Sequence, residues 1–110
     1  MQITSLTALA SQQLHEARGA SAGRSAVTVY GGREHDLRQT LIAMTAGTRL
    51  GEHESPGEAT LQVLEGEVTM HADGEAHELR AGEHGVIPPS RHDLVAGTDA
   101  VVLLTVATRY

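Results

Sequence analysis

From Ala26 onward, glycine and proline divide the chain into short stretches, and this punctuation constrains the fold more than any other feature. The turn residues recur at intervals of roughly 8–12 residues, which is typical of antiparallel sandwiches and barrels. The stretches between them are rich in aliphatic residues, and Ala100 to Val106 is the most β-branched. Asp73-Gly74 separates two strand-like stretches and is the strongest hairpin signal. The pattern therefore predicts an all-β antiparallel fold.

The N-terminal segment follows a helical period instead. The residues that recur at the spacing of one helix face are Ile3, Leu6, Leu9 or Ala10, Gln13 or Leu14, and Ala17. We predict a single amphipathic helix over residues 4–18, with Thr4 or Ser5 as its N-cap and Gly19 at its C-cap. A linker of small residues follows the helix.

The composition excludes several classes of function. The chain has no cysteine, so disulfides, thiolate metal sites and cysteine nucleophiles are excluded. The net charge is −6, and the eight basic residues are all arginines scattered along the chain. Because phosphate binding needs clustered Lys and Arg, we expect no nucleic-acid partner. Apart from the histidines, Tyr30 and Tyr110 are the only aromatic residues, which argues against ligand binding by ring stacking.

The length of 110 residues fits one domain. We expect the N-terminal helix and linker to occupy residues 1–25 and a barrel to occupy residues 26–110. The N-terminus lacks the basic and apolar regions of a secretory signal, and no stretch reaches the roughly 20 apolar residues that span a bilayer. We therefore expect a cytoplasmic protein with no membrane partner.

Two segments of the β-region carry histidines within a framework of glycine and proline. The first segment begins at Gly47, contains His53 and ends at Gly66. The second begins at Gly82, contains Pro88 and ends at His92. Together they resemble the two motifs of the cupin superfamily of small jelly-roll barrels, and the resemblance covers about residues 26–107. Combined with the predicted helix, it implies an antiparallel double-stranded β-helix (jelly-roll) barrel with a short N-terminal α-helix.

In metal-binding cupins, three histidines and one glutamate hold a divalent metal inside the barrel. The resemblance assigns the first and last histidines to His53 and His92, but the second falls on Ser55 and the glutamate on Ala59. Glu58 is one residue away, and a shift of one residue turns a strand side chain to the opposite face unless a bulge intervenes. The resemblance thus implies either a partial two-histidine site for one divalent metal (Zn, Ni, Mn or Fe), with Glu58 as a weaker candidate ligand, or a pocket without metal.

Alternation along the strands predicts the walls of the barrel pocket. Leu61 and Val63 share the parity of His53 and therefore its face of the sheet. The predicted ligand-pocket residues are His53, Ser55, Leu61, Val63, His92 and Met44. An aliphatic lining with two imidazoles and a hydroxyl suits a small, partly apolar ligand, including an anionic one.

The remaining histidines are expected at the surface. His15 lies on the predicted helix, and His35 and His84 lie near charged turns. His71 and His77 flank the Asp-Gly hairpin, and we expect them to lie opposite one another on the solvent face.

Three functions remain open at this point. The first is a small-molecule-binding barrel of unassigned activity, and the second is a divalent-metal-dependent enzyme of isomerase or dioxygenase type that uses His53 and His92. The third is a non-catalytic ligand sensor or regulatory protein. The resemblance also implies a homodimer, and the apolar side of the N-terminal helix must be buried either on the barrel or on a second subunit.

Overall fold

A computed structural model describes residues 1–53 and 57–108 of the chain, with the backbone alone for residues 52 and 53. Across these residues the chain forms one helix and nine strands. They are α1 (Leu6–Gly19), β1 (Arg24–Tyr30), β2 (Leu37–Met44), β3 (Arg49–His53), β4 (Glu58–Glu65), β5 (Glu67–Ala72), β6 (Glu75–Arg80), β7 (His84–Val86), β8 (His92–Ala96) and β9 (Ala100–Ala107).

The strands form two antiparallel sheets. One has five strands in the order β1-β2-β9-β4-β7, and the other has four in the order β3-β8-β5-β6. Most neighbours are distant in sequence: β9 lies between β2 and β4, and β8 lies between β3 and β5. This is the jelly-roll arrangement, and together with α1 it confirms the predicted fold class.

Most strands end at the glycine and proline turns that the sequence predicts. β1 begins at Arg24, two residues before the expected barrel boundary at residue 26. The sequence pattern does not indicate β3 (Arg49–His53), because Gly51 and Glu52 interrupt its apolar alternation.

Aliphatic side chains form the hydrophobic core between the sheets. Met44, Val63, Val68 and Val102 are buried almost completely there, and the chain has no phenylalanine or tryptophan. Burying a side chain of this kind contributes about 1.5–3 kcal/mol. The barrel is therefore held by many moderate contributions rather than by a few large rings.

Helix α1 covers the outer face of the five-stranded sheet. The Ser5 hydroxyl accepts a hydrogen bond from the Ala8 amide, which confirms Ser5 as the N-cap. The apolar contact consists of Ala10, Leu14 and Ala17 of the helix and Leu41, Ala43, Val101 and Leu103 of the sheet. The apolar side of the helix is thus buried on its own chain. No helix among the described residues is long and apolar enough to cross a membrane.

Two details of the helix prediction are wrong. Gly19 still belongs to the helix and Ala20 is the C-cap in an extended conformation. The first glycine with positive φ after the helix is Gly23, with φ of +71°. Ile3 was expected on the buried stripe but precedes the helix and is exposed.

The hairpin between β5 and β6 has a two-residue turn. Asp73 and Gly74 both have positive φ, 54° and 74°, as a type I′ turn requires. The ladder pairs Met70 with His77, and it pairs His71 with Ala76. The predicted pairing of His71 with His77 is therefore wrong, because a two-residue turn makes their register differ by one position.

Candidate functional site

His92 begins strand β8 and its side chain faces the interior of the barrel. It is only 3% exposed, and Leu94 and Ala96, which follow on the same face of the strand, are buried as well. The backbone ladders place His53 opposite His92 on one side and Ala72 on the other. The two histidines that the sequence placed together are thus paired across β3 and β8 at the level of the backbone.

A backbone carbonyl fixes the tautomer of His92. Its Nδ1 atom lies 2.8 Å from the carbonyl oxygen of Ser90. Because a carbonyl can only accept, Nδ1 carries the proton and donates it, so the lone pair of the neutral ring is on Nε2. The Ser90 hydroxyl nearby in sequence is buried and has no hydrogen-bond partner within the described part of the chain.

A small cavity of about 20 Å³ touches His92. Its lining consists of Ile42, Leu50, Leu61, Met70, Ile87, His92, Leu94 and Leu104. A space of this size holds about one water molecule. Of the predicted pocket residues, Leu61 and His92 line the cavity. Met44 and Val63 are buried in the same core but do not border it.

The sequence prediction missed several walls of this cavity. Met70 comes from β5, a strand that the motifs do not include, and Ile87 follows β7. Parity could have identified Met70, since it alternates with Val68 and Ala72 on the inward face of β5. Ser55, by contrast, lies outside the described residues.

The described donors do not form a three-ligand metal site. Ala59 occupies the glutamate position and is buried, whereas Glu58 is exposed. The ladder between β4 and β9 is regular from Glu58 to Val63, so no bulge turns the Glu58 carboxylate inward. No three His, Asp or Glu side chains converge within residues 1–51 and 57–108. A catalytic zinc site normally needs three protein ligands.

A charged cluster lies on the opposite face of β8. Asp93 follows His92 and its side chain points to the outer face of the four-stranded sheet, yet it is only 6% exposed. Arg49 donates to one oxygen of this carboxylate, and His71 Nδ1 lies 2.7 Å from the other. The sequence analysis does not single out Asp93, because nothing in the sequence indicates that residues of two neighbouring strands cover it.

Opposing effects act on the pKa of Asp93. Burial raises it, but the hydrogen bond from His71 and the positive charge of Arg49 lower it by more. The net result is a pKa below the ordinary value of 3.8. Asp93 is therefore ionised at neutral pH and holds both neighbours in place.

The other histidines lie at or near the surface. His15, His35 and His84 are exposed, and His35 makes an edge contact with the Tyr30 ring at 5.1 Å. His77 is half-exposed, with Nε2 at 3.5 Å from a Glu75 oxygen.

Comparisons with known proteins agree with this architecture. Residues 40–107 match the family model described as Cupin domain. A conserved Streptococcus pyogenes protein of unknown function has a TM-score of 0.74 and 26% identity, over 83% of this chain and 79% of that one. A Desulfitobacterium hafniense cupin superfamily protein has a TM-score of 0.72 and 15% identity, over 78% of each chain.

A similar fold also occurs within a regulator. The cupin domain of an XRE family transcriptional regulator from Enterobacter cloacae has a TM-score of 0.67 and 15% identity, over 79% of this chain and 98% of that one. No functionally curated protein matches the chain.

Proposed function

Because the chain belongs to the cupin family, we propose that it binds a small molecule in its barrel, with His92 as the polar contact. The observation that carries the proposal is the setting of His92, which is buried among aliphatic side chains with its Nδ1 engaged by the Ser90 carbonyl. With the proton on Nδ1, Nε2 of a neutral imidazole is an acceptor of the kind that binds hydroxyl, amide and ammonium groups. The buried Ser90 hydroxyl is a second polar group that an occupant can satisfy.

The expected ligand is small and partly apolar. The cavity beside His92, about 20 Å³, admits only the polar end of a molecule. The rest of the ligand must lie in a larger space that opens toward the surface. Aliphatic walls favour a hydrocarbon body, and one imidazole favours a single hydrogen-bonding group.

The test is a thermal-shift screen of the wild-type protein. The panel contains small hydroxy acids, amino acids, sugars and aliphatic alcohols, because these combine a short carbon body with hydrogen-bonding groups. A ligand raises Tm in proportion to the logarithm of its concentration over Kd. We expect at least one compound to raise Tm in the wild type and in His15→Gln, whose histidine is exposed on α1. The same compound should fail in His92→Gln, and an equal shift there would reject the proposal.

The second candidate function is a divalent-metal-dependent enzyme of isomerase or dioxygenase type. The backbone pairing of His53 with His92 favours it, because residues that are paired across a ladder are direct neighbours. Untagged protein should be loaded with Zn, Ni, Mn or Fe, and the metal content per chain measured. Stoichiometric metal that is lost in both His53→Ala and His92→Ala would support the enzyme, and absence of metal after loading would reject it.

A ligand sensor without chemistry is the third candidate, and the similarity to a regulator's cupin domain favours it. Ligand binding without turnover of the bound compound would support it over the enzyme.

We also propose a homodimer in the cytoplasm. β1 is the outer strand of the five-stranded sheet and pairs only with β2 among the described strands, so its outer edge can add a second copy of the sheet. Analytical ultracentrifugation tests this, since a monomer at micromolar concentration would reject the dimer. Fractionation of cells tests the location.

A further inference from the structure

The two sheets are not joined along the side where β6 and β7 run. β6 is the last strand of the four-stranded sheet, and β7 is the last strand of the five-stranded sheet. In the described ladders, β6 pairs only with β5, and β7 pairs only with β4. A cleft of about 320 Å³ lies between them. We refer to it as the β6–β7 cleft.

The floor of the β6–β7 cleft is apolar and its rim is polar. Leu61, Met70, Leu79 and Ile87 contribute the floor. The rim carries two histidines and two glutamates: His77, His84, Glu78 and Glu83. The volume is at the lower end of the range for small-molecule pockets, about 300–1,000 Å³. Two carboxylates at the rim and a net charge of −6 disfavour an anionic occupant.

A glycine keeps the β6–β7 cleft open. Gly85 of β7 pairs with Leu61, so a side chain at this position would share the inward face with Leu61. A Cβ atom there would lie 3.1 Å from Leu79 Cδ2, across the gap between the sheets. This distance is shorter than an ordinary van der Waals contact, so a side chain at position 85 presses on Leu79 and narrows the space between β7 and β6.

The cleft also borders the small cavity inside the barrel. Leu61, Met70 and Ile87 line both the cleft and the small cavity that touches His92. Met70 is unbranched and flexible, so it can change shape to accommodate an occupant on either side. The cleft thus offers the larger space that the narrow cavity lacks.

We propose that the β6–β7 cleft binds the body of a small, uncharged and mainly aliphatic ligand, which enters the barrel between β6 and β7. This inference rests on the proposed function, since it supplies the route by which the polar end of a ligand approaches His92. The aliphatic floor selects the hydrocarbon body, and the acidic rim selects against anions.

The test uses 1-hexanol as the probe and the methionine methyl groups as reporters. The chain has three methionines: Met1 is exposed, Met44 is buried away from both spaces, and Met70 lines the cleft. In protein labelled at methionine methyl carbons, hexanol should shift the Met70 resonance saturably and leave Met1 and Met44 in place. Absence of a saturable Met70 shift, or parallel shifts of all three resonances, would overturn the proposal.

Substitutions of Gly85 provide a second test of binding in the cleft. Gly85→Val should weaken hexanol binding at least about tenfold, as expected when the volume of two or three methyl-sized groups is filled. Gly85→Ala should lie between Val and the wild type. Gly32→Val is the matched control, because a Cβ at Gly32 meets nothing within 4 Å. The Met44 resonance reports whether each variant is folded. Equal affinity in folded Gly85→Val, or in Gly85→Ala if the valine variant unfolds, would overturn the proposal.

The two proposals can fail separately. If hexanol shifts the Met70 resonance but no panel compound raises Tm, ligand binding in the β6–β7 cleft is supported and the proposed function is rejected. Conversely, a panel compound can raise Tm in the wild type but not in His92→Gln, while hexanol leaves the Met70 resonance unshifted. That result would reject ligand binding in the β6–β7 cleft and leave the proposed function standing.

Discussion

The outer faces of the two sheets differ in how they are covered. On the five-stranded sheet, Leu41 and Val101 are fully buried beneath the apolar side of α1. On the four-stranded sheet no helix among the described residues covers the surface, and the buried residue is the ionised Asp93. Burial of an aliphatic side chain is favourable by itself, whereas burial of a carboxylate is tolerated only with partners. The comparison shows that burial in this barrel has two different physical origins.

The largest effect is expected under the helix. Leu41→Ala should lower the free energy of unfolding by about 2–5 kcal/mol, because it leaves a cavity between β2 and α1. Leu37→Ala, in the same strand but at a position that is 43% exposed, is the control and should change it by less than about 1 kcal/mol. Urea unfolding at pH 7 measures both. Equal losses of unfolding free energy in the two variants would mean that α1 does not bury this face of the five-stranded sheet.

The next effect concerns the charged face. Asp93→Asn should lower the free energy of unfolding by about 1–3 kcal/mol, because a buried carboxylate that accepts hydrogen bonds from Arg49 and His71 is replaced by a neutral amide. The loss is smaller than for a fully buried pair, since the side chains of Arg49 and His71 are 58% and 47% exposed and can turn to water. Glu67→Gln, whose exposed ion pair with Arg80 spans 3.6 Å, should change stability by less than about 0.5 kcal/mol. If both substitutions had the same effect, Asp93 would behave as a surface residue.

The same carboxylate predicts how stability depends on pH. The pKa of Asp93 in the folded protein lies below its ordinary value of 3.8. Its contribution is therefore fully present above the unfolded pKa and is lost as pH falls through the lower folded pKa. The difference in unfolding free energy between the wild type and Asp93→Asn should therefore shrink as the pH falls below about 4. A difference that is as large at about pH 2 as at about pH 5 would contradict the lowered pKa of Asp93.

The smallest effect is expected where α1 is tied to the turn before β9. Arg18 contacts Asp99 at 3.0 Å, and the Ala46 amide donates to the same carboxylate. Both side chains of the ion pair are solvent-accessible, so Arg18→Ala should lower Tm by less than Asp93→Asn does. Calorimetry with and without 1 M salt checks this, since an exposed pair is screened at that ionic strength, where the Debye length is about 3 Å. A salt-independent loss would point to packing by the arginine stem instead.

The turn signals account for most of what could be predicted about the fold. Positive φ at Asp73 and Gly74 is a local requirement, and so it is visible in the sequence. The same turn also fixes the register of β5 and β6, so the relation of His71 to Ala76 could have been obtained by counting outward from Ala72 and Glu75. β3 could not be obtained in this way, because its pairing with β8 depends on residues far away in sequence.

The candidate site was predictable only in part, for the same reason. Motif spacing and strand parity identify His92 and Leu61 as inward residues. Neither indicates how full the barrel is, because the size of the cavity depends on side chains such as Met70 that come from other strands. The partners of Asp93 likewise come from two strands, β3 and β5, that meet β8 only in the folded sheet.

The position of β9 has a consequence for synthesis of the chain. β9 is the last of the described strands, yet it lies in the middle of the five-stranded sheet, between β2 and β4. While the ribosome is still translating this strand, β2 and β4 each have an open edge at the place that β9 will occupy, and open edges are templates for wrong pairing. The five-stranded sheet can therefore be completed only once β9 has left the exit tunnel, and long-range pairing of this kind is slow.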